Sequence, residues 1–233
     1  MNDLDPAFLP GLPEGFRRGM EFIWRAEQDG HQQDSAPGEK FRTSWGITQP
    51  TWDAAVHEGI VTGKLENATR AQAGNIYLKN YWNALRLSDL PTAIGFLLFV
   101  DATLMGPGRV AKSLQHIVGV PQDGIIGPKT IAATNDYIAE HGQDALIDAL
   151  IDASIAYLGA LPNAPTFIRG WTRRENEERT IAHEIAATEP KAVNKIPEPA
   201  APVVPEVPTI TLPPIPVASV EGKWIVTIEK QRD

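Results

Sequence analysis

The chain has 233 residues, of which 42% are hydrophobic, enough for one large or two small domains with a real core. A formal net charge of -8 argues against general nucleic-acid binding, which needs a basic surface to neutralise phosphates. The absence of cysteine excludes a disulfide framework and a cysteine-ligated zinc site. The five histidines fall at no metal-ligand spacing, and neither a phosphate-binding glycine loop nor a nucleophile motif occurs, so no metal or cofactor is expected.

Residues 1–15, with Pro6, Pro10, Pro13, Gly11 and Gly15, read as an extended lead-in. They lack the basic start, apolar run and small-residue cleavage site of a secretory signal, so synthesis and retention in the cytoplasm are expected. Phe16, Met20, Ile23 and Trp24 recur at helical spacing. Glu27 continues that stripe where an apolar side chain would be expected, at the helix's C-terminal end. Partial burial and the negative end of the helix dipole both disfavour its charged form, which suits a general acid. Asp29, Asp34, Thr43 and Ser44 follow in a polar loop punctuated by Gly30, Pro37 and Gly38. One protonated acid beside one solvated carboxylate is what glycoside hydrolysis requires.

Thr48 and Pro50 open the next predicted helix, and Asn67-Ala68-Thr69 the one after it. The aromatics Trp45, Tyr77, Tyr81 and Trp82 have two readings, core packing or flat faces against sugar rings. Tyr77 and Trp82 are read as core, Trp45 and Tyr81 as candidates for a cleft. Leu90-Pro91 begins a strongly apolar helix through Val100, too short to span a membrane and closed by Asp101. From Leu114 to Thr130 the pattern is helix, tight loop and helix: Gly119 suits a C-cap, Asp123-Gly124 a turn, and Gly127-Pro128 a helix entry. Leu146, Leu150, Ile151, Ile155 and Leu158 share one helical face, with Asp148 and Asp152 read as solvated on the other. Glu175 to Ala187 is read as the last helix, and the prolines recurring from Pro190 to Pro216 as a polyproline-type linker that forms no core.

Glu27, Asp34 and the run Thr43-Ser44-Trp45-Gly46-Ile47 resemble the N-terminal motif of the peptidoglycan muramidases of glycoside hydrolase family 108, phage endolysins and related bacterial proteins. Ile76 to Trp82 resembles that family's Tyr-x-x-x-Tyr-Trp signature, and Gly170-Trp171-Thr172-Arg173-Arg174 its closing Gly-Trp-x-x-Arg segment. The Leu114 to Thr130 string closely resembles the predicted peptidoglycan-binding module that follows the catalytic segment in the same family. Gln28 and Asp29 replace two glycines of the family pattern. Counting back from Gly46 by the family's spacing lands nearer Asp29, whereas the helix face selects Glu27 as the acid.

The resemblance implies an all-α, lysozyme-like fold: a catalytic lobe over residues 16–101, a peptidoglycan-binding helical lobe over 102–187, a Pro-rich linker over 188–217 and a short tail over 218–233. It implies a muramidase cleaving the β-1,4 bond between N-acetylmuramic acid and N-acetylglucosamine, with Glu27 as proton donor and Asp34 and Thr43 positioning water or stabilising charge. Asp29, Trp45, Tyr81, Asp123 and Gly124 would touch the glycan, unless the last pair only shapes its turn. A lytic transglycosylase and a non-catalytic wall-binding or virion-associated protein are the alternatives. The implied partner is peptidoglycan, reached by a monomer that a separate holin-type, membrane-permeabilising protein releases; an ordinary cytoplasmic enzyme fits the N-terminus equally.

Overall fold

The apolar run that opens at Leu90-Pro91 becomes helix α4 (Thr92–Met105), around which the other elements are arranged. Its sequence TAIGFLLFVDATLM has no polar face, and a helix apolar all round must be enclosed. The computed structural model describes residues 11–26 and 43–189, and there every residue of α4 from Ala93 to Ala102 is buried. Helices α1 (Glu14–Ala26), α5 (Pro107–Ile117), α7 (Gln143–Gly159) and α8 (Ala164–Thr188) pack on it. Helices α2 (Gln49–His57), α3 (Arg70–Tyr77) and α6 (Pro128–His141) complete the set. The sole sheet among the described residues is the hairpin of β1 (Thr43–Ser44) and β2 (Ile47–Thr48), so the expected mainly α architecture holds.

The predicted face of α1 is the one buried: Phe16, Met20, Ile23 and Trp24 all lie in the core. Gly15 and Gly19, one turn apart, let α1 approach α4 closely. A methyl at Gly19 would sit 2.5 Å from the Phe99 ring, and one at Gly15 would sit 2.8 Å from the Thr92 carbonyl. Phe16, Trp82 and Phe99 form an aromatic knot beneath this crossing, with ring centroids 5.0–5.8 Å apart.

Two expectations change. Residues 164–188 form one continuous helix, so the Gly-Trp-x-x-Arg segment and the predicted last helix are one element, with Pro165 tolerated in its first turn. Asp148 and Asp152 are not merely solvated: both pair with Arg179 of α8, and His183 contacts Asp144 at 2.9 Å and Asp148 at 3.2 Å. At the end of α8, Glu189 accepts from the Thr92 backbone N–H, placing a carboxylate at the positive end of α4. The predicted tail beyond Glu189, like residues 1–10 of the lead-in, lies outside the described residues. Among the described residues no helix is long and apolar enough to cross a membrane.

Candidate functional site

Glu27, Asp29 and Asp34 lie outside the described residues. The elements on either side of them are described. Helix α1 ends at Ala26, immediately before Glu27, and the chain is described again at Thr43, half-buried in β1 opposite Thr48. Ser44 pairs with Ile47, leaving Trp45 and Gly46 as a two-residue turn with φ of 54° and 72°. Positive φ at both positions is what a tight hairpin of this twist demands. Glycine meets that demand freely, whereas a tryptophan in the left-handed region costs about 1–3 kcal/mol.

Four contacts hold Trp45 in that conformation. Its indole Nε1 donates to the Ala68 carbonyl at 2.8 Å, and its own carbonyl accepts from the Tyr77 hydroxyl at 3.2 Å. The Trp24 ring meets it edge-on at 6.3 Å, and the Arg70 guanidinium lies 5.1 Å from its ring centroid. The Ala68 carbonyl and Arg70 are themselves fixed by the start of α3. There Thr69 accepts from the Gln72 N–H, Gln72 accepts from the Thr69 N–H in return, and the Gln72 amide also donates to the Thr62 carbonyl. The half-buried Trp45 is thus tied to α3 and to α1, the helix that ends at the residue before Glu27. Arg70 was not singled out in the sequence; the signal available was its place at the first position of a capped helix, after Thr69.

Tyr77 and Trp82 are core residues, as read. Tyr81 is also buried, at 6% exposure, with its ring 5.7 Å from that of Tyr77. Burial pushes its phenol well above the usual range, and the geometry gives it a packing role rather than an open face for a sugar. It lies in a widened π-helical turn, Leu78–Asn83, that continues α3.

Asp123 and Gly124 lie in the loop between α5 and α6, which is organised by the buried side chain of Gln115. Its amide nitrogen donates to Asp123 Oδ1 at 2.6 Å, the Ile125 carbonyl at 3.0 Å and Thr130 Oγ1 at 3.2 Å, while its oxygen accepts from the Gly124 N–H at 2.9 Å. Asp123 also accepts from the Ile125 N–H at 2.9 Å; that bond, then the one from Gln115, holds its carboxyl below the usual range. Asp123 therefore shapes the loop, and Gly124 supplies the positive φ of 80° that the turn needs. The large apolar side chain this loop presents outward is Ile125, 69% exposed. Gln115→Ala should lower the unfolding free energy by about 2–3 kcal/mol, since it removes four hydrogen bonds of the loop at once, one of them to the buried Thr130, and urea denaturation checks this.

Among the described residues, one group of acids has metal-ligating proximity: Asp101, Glu175 and Glu178, all buried. It lies in the interior between α4 and α8, on elements other than the hairpin.

A family model described as Glycosyl hydrolase 108 matches residues 20–106, from within α1 through the hairpin to the end of α4. A second, described as Predicted Peptidoglycan domain, matches residues 109–176, from α5 into α8. The chain is similar to the solved structure of Brucella abortus SagA, with 34% identity and a TM-score of 0.61, covering 73% of this chain and 95% of that one. No curated protein matches significantly.

Proposed function

Because the chain belongs to the glycosyl hydrolase 108 family, we propose that it is an N-acetylmuramidase, cleaving the β-1,4 bond between N-acetylmuramic acid and N-acetylglucosamine. The family segment and the peptidoglycan module together support a peptidoglycan hydrolase. The observation that carries the finer reading is the hairpin corner: a strained Trp45, held from α1 and α3, at the border of the segment with Glu27, Asp29 and Asp34. Strain kept in place by several independent contacts is characteristic of a site that needs a fixed geometry.

In this reading Glu27 protonates the departing glycosidic oxygen, and Asp34 and Thr43 orient water or stabilise positive charge on the sugar. The loop of Asp123 to Thr130 contacts the wall through its outer surface, with Gln115 and Asp123 holding its shape. The protein acts as a monomer, made in the cytoplasm and reaching the wall after a separate membrane-permeabilising protein opens the way.

Digestion of purified peptidoglycan by the full chain, followed by separation of the soluble fragments, tests the proposal. Fragments ending in reducing muramic acid are expected. Fragments ending in 1,6-anhydromuramic acid would make the protein a lytic transglycosylase, and wall binding without fragment release would make it a wall-binding protein.

A further inference from the structure

Three carboxyls meet in the protein interior. Asp101 of α4 is 4% exposed, Glu175 and Glu178 of α8 are fully enclosed, and an oxygen from each lies within 4.8 Å of the others. Two hydrogen-bond donors reach them. Ser154 Oγ of α7 donates to Asp101 Oδ2 at 2.6 Å, and Arg174 Nε donates to Glu178 Oε1 at 2.9 Å. The other four oxygens, Asp101 Oδ1, both of Glu175 and Glu178 Oε2, are buried with no donor.

Fully ionised, the group would set three negative charges against the single positive charge of Arg174. A buried site tolerates neither that excess nor four unsatisfied acceptors. Protons correct both faults, because a protonated carboxyl becomes a donor to the carboxylate beside it. We propose that Asp101, Glu175 and Glu178 fold as one proton-sharing cluster that stays partly protonated at neutral pH and forms a pH-sensitive latch holding α4 to α7 and α8.

Several charged groups on the surrounding elements are engaged elsewhere. From α1, Phe22 lies under the Arg174 guanidinium, while Arg18 and Arg25 pair with Glu184 and Glu177 on the exposed side of α8. From α7, Asp148 and Asp152 pair with Arg179, and from α5, Arg109 lies over Tyr157. A divalent cation would balance the same charge, but the arginine already inside the group and the enclosure of both glutamates disfavour it.

The direction of the pH effect follows from the folded-state affinities. Burial pushes the carboxyl of Asp101 up to about 6 against the opposing bond from Ser154 and the charge of Arg174. Burial likewise raises Glu178 to about 8 against Arg174, and Glu175 to about 11, where the neighbouring acids add to the rise. Folded values above the unfolded ones mean that the native state holds the extra protons. The cluster's contribution is therefore complete below the ordinary carboxyl range and is lost stepwise as the pH rises through about 6, about 8 and, for Glu175, about 11. The latch joins the segment that matches the hydrolase family to the one that matches the peptidoglycan module, so loosening it loosens their packing.

Thermal unfolding of the full chain between about pH 5 and about pH 9 tests the latch, beside Glu175→Gln, whose amide supplies donors without a titrating proton. The wild type should lose about 5 °C or more of melting temperature across this range, with a flatter profile for Glu175→Gln. Infrared spectra of the wild type at neutral pH should show the carbonyl stretch of a protonated carboxylic acid, and this measurement decides alone if the variant does not fold. A flat wild-type profile, an equal fall in Glu175→Gln, or absence of the infrared band would overturn the proposal. So would a rise in melting temperature with millimolar calcium or magnesium that Glu175→Gln lacks, which would make the group a cation site.

Discussion

Replacing Glu27 by glutamine is expected to slow peptidoglycan cleavage about a hundred- to ten-thousand-fold, the usual contribution of a general acid, while leaving melting temperature and wall binding unchanged. Glutamine keeps the shape and hydrogen-bonding reach of the side chain and cannot deliver a proton. The physical case is one of sequence spacing: α1 buries Phe16, Met20 and Ile23, and position 27 falls at the next step of that period. That position follows the helix's last residue, Ala26, the end of a helix being where the dipole disfavours a negative charge. Muropeptide release per unit time measures the effect, with pelleting on insoluble peptidoglycan as the binding control. Asp29→Asn decides between the two acids. Near-normal activity in Asp29→Asn beside an inactive Glu27→Gln supports Glu27, whereas the reverse pattern moves the proton donor to Asp29. Asp34→Asn should cost less than Glu27→Gln if its carboxylate only orients water.

The parts of the fold that were legible in the sequence are those where one helix decides its own face. The stripe of α1, the wholly apolar α4, and Leu146, Leu150, Ile151 and Leu158 of α7 are buried as their periodicity requires. Gly119, Gly124 and Gly142, all with positive φ, mark a helix end, a turn and a helix junction, of which the first two were read in advance. Long-range contacts were not legible. Trp45 sits in an unfavourable backbone region because Trp24 of α1 and Ala68, Arg70 and Tyr77 in and just before α3, two separate stretches of chain, converge on it. Gln115 looked like one letter of a loop motif, and its role as the hub of four hydrogen bonds depends on how the loop folds back over α5.

The buried acids are a different case, because half of their signal was available. Trp171, Glu175, Glu178, Ala182 and Ile185 recur at alternating steps of four and three along α8, so two glutamates occupy positions that the helical period assigns to the core. The same reasoning that singles out Glu27 applies to both. What the period could not supply was the partner set. Asp101 reads in sequence as the polar stop of an apolar run, and only the crossing of α4 with α8 brings it to Glu175, Glu178 and Arg174. Asp101 closes the apolar run of α4 and Arg174 ends the closing Gly-Trp-x-x-Arg segment, so two stretches far apart in the chain meet in one cluster.

That meeting makes Arg174 the residue whose loss should cost the fold most. Arg174→Met keeps an unbranched apolar stem and removes the guanidinium, which lies over Phe22 and is the single cation facing the buried carboxyls. Breaking one side of a buried ion pair costs about 3–5 kcal/mol, because the charge left behind has neither solvent nor partner. Urea denaturation at neutral pH should show that loss as a lower midpoint with an unchanged slope. Arg173→Met, on the exposed neighbouring position, should change stability by no more than about 0.5 kcal/mol. Acid provides the internal check. The cluster loses its one cation in Arg174→Met and sheds its remaining negative charge by taking up a proton, so the deficit should shrink as the pH falls towards about 5. A deficit equally large at acid and neutral pH would mean that Arg174 acts through its packing on Phe22 rather than through its charge.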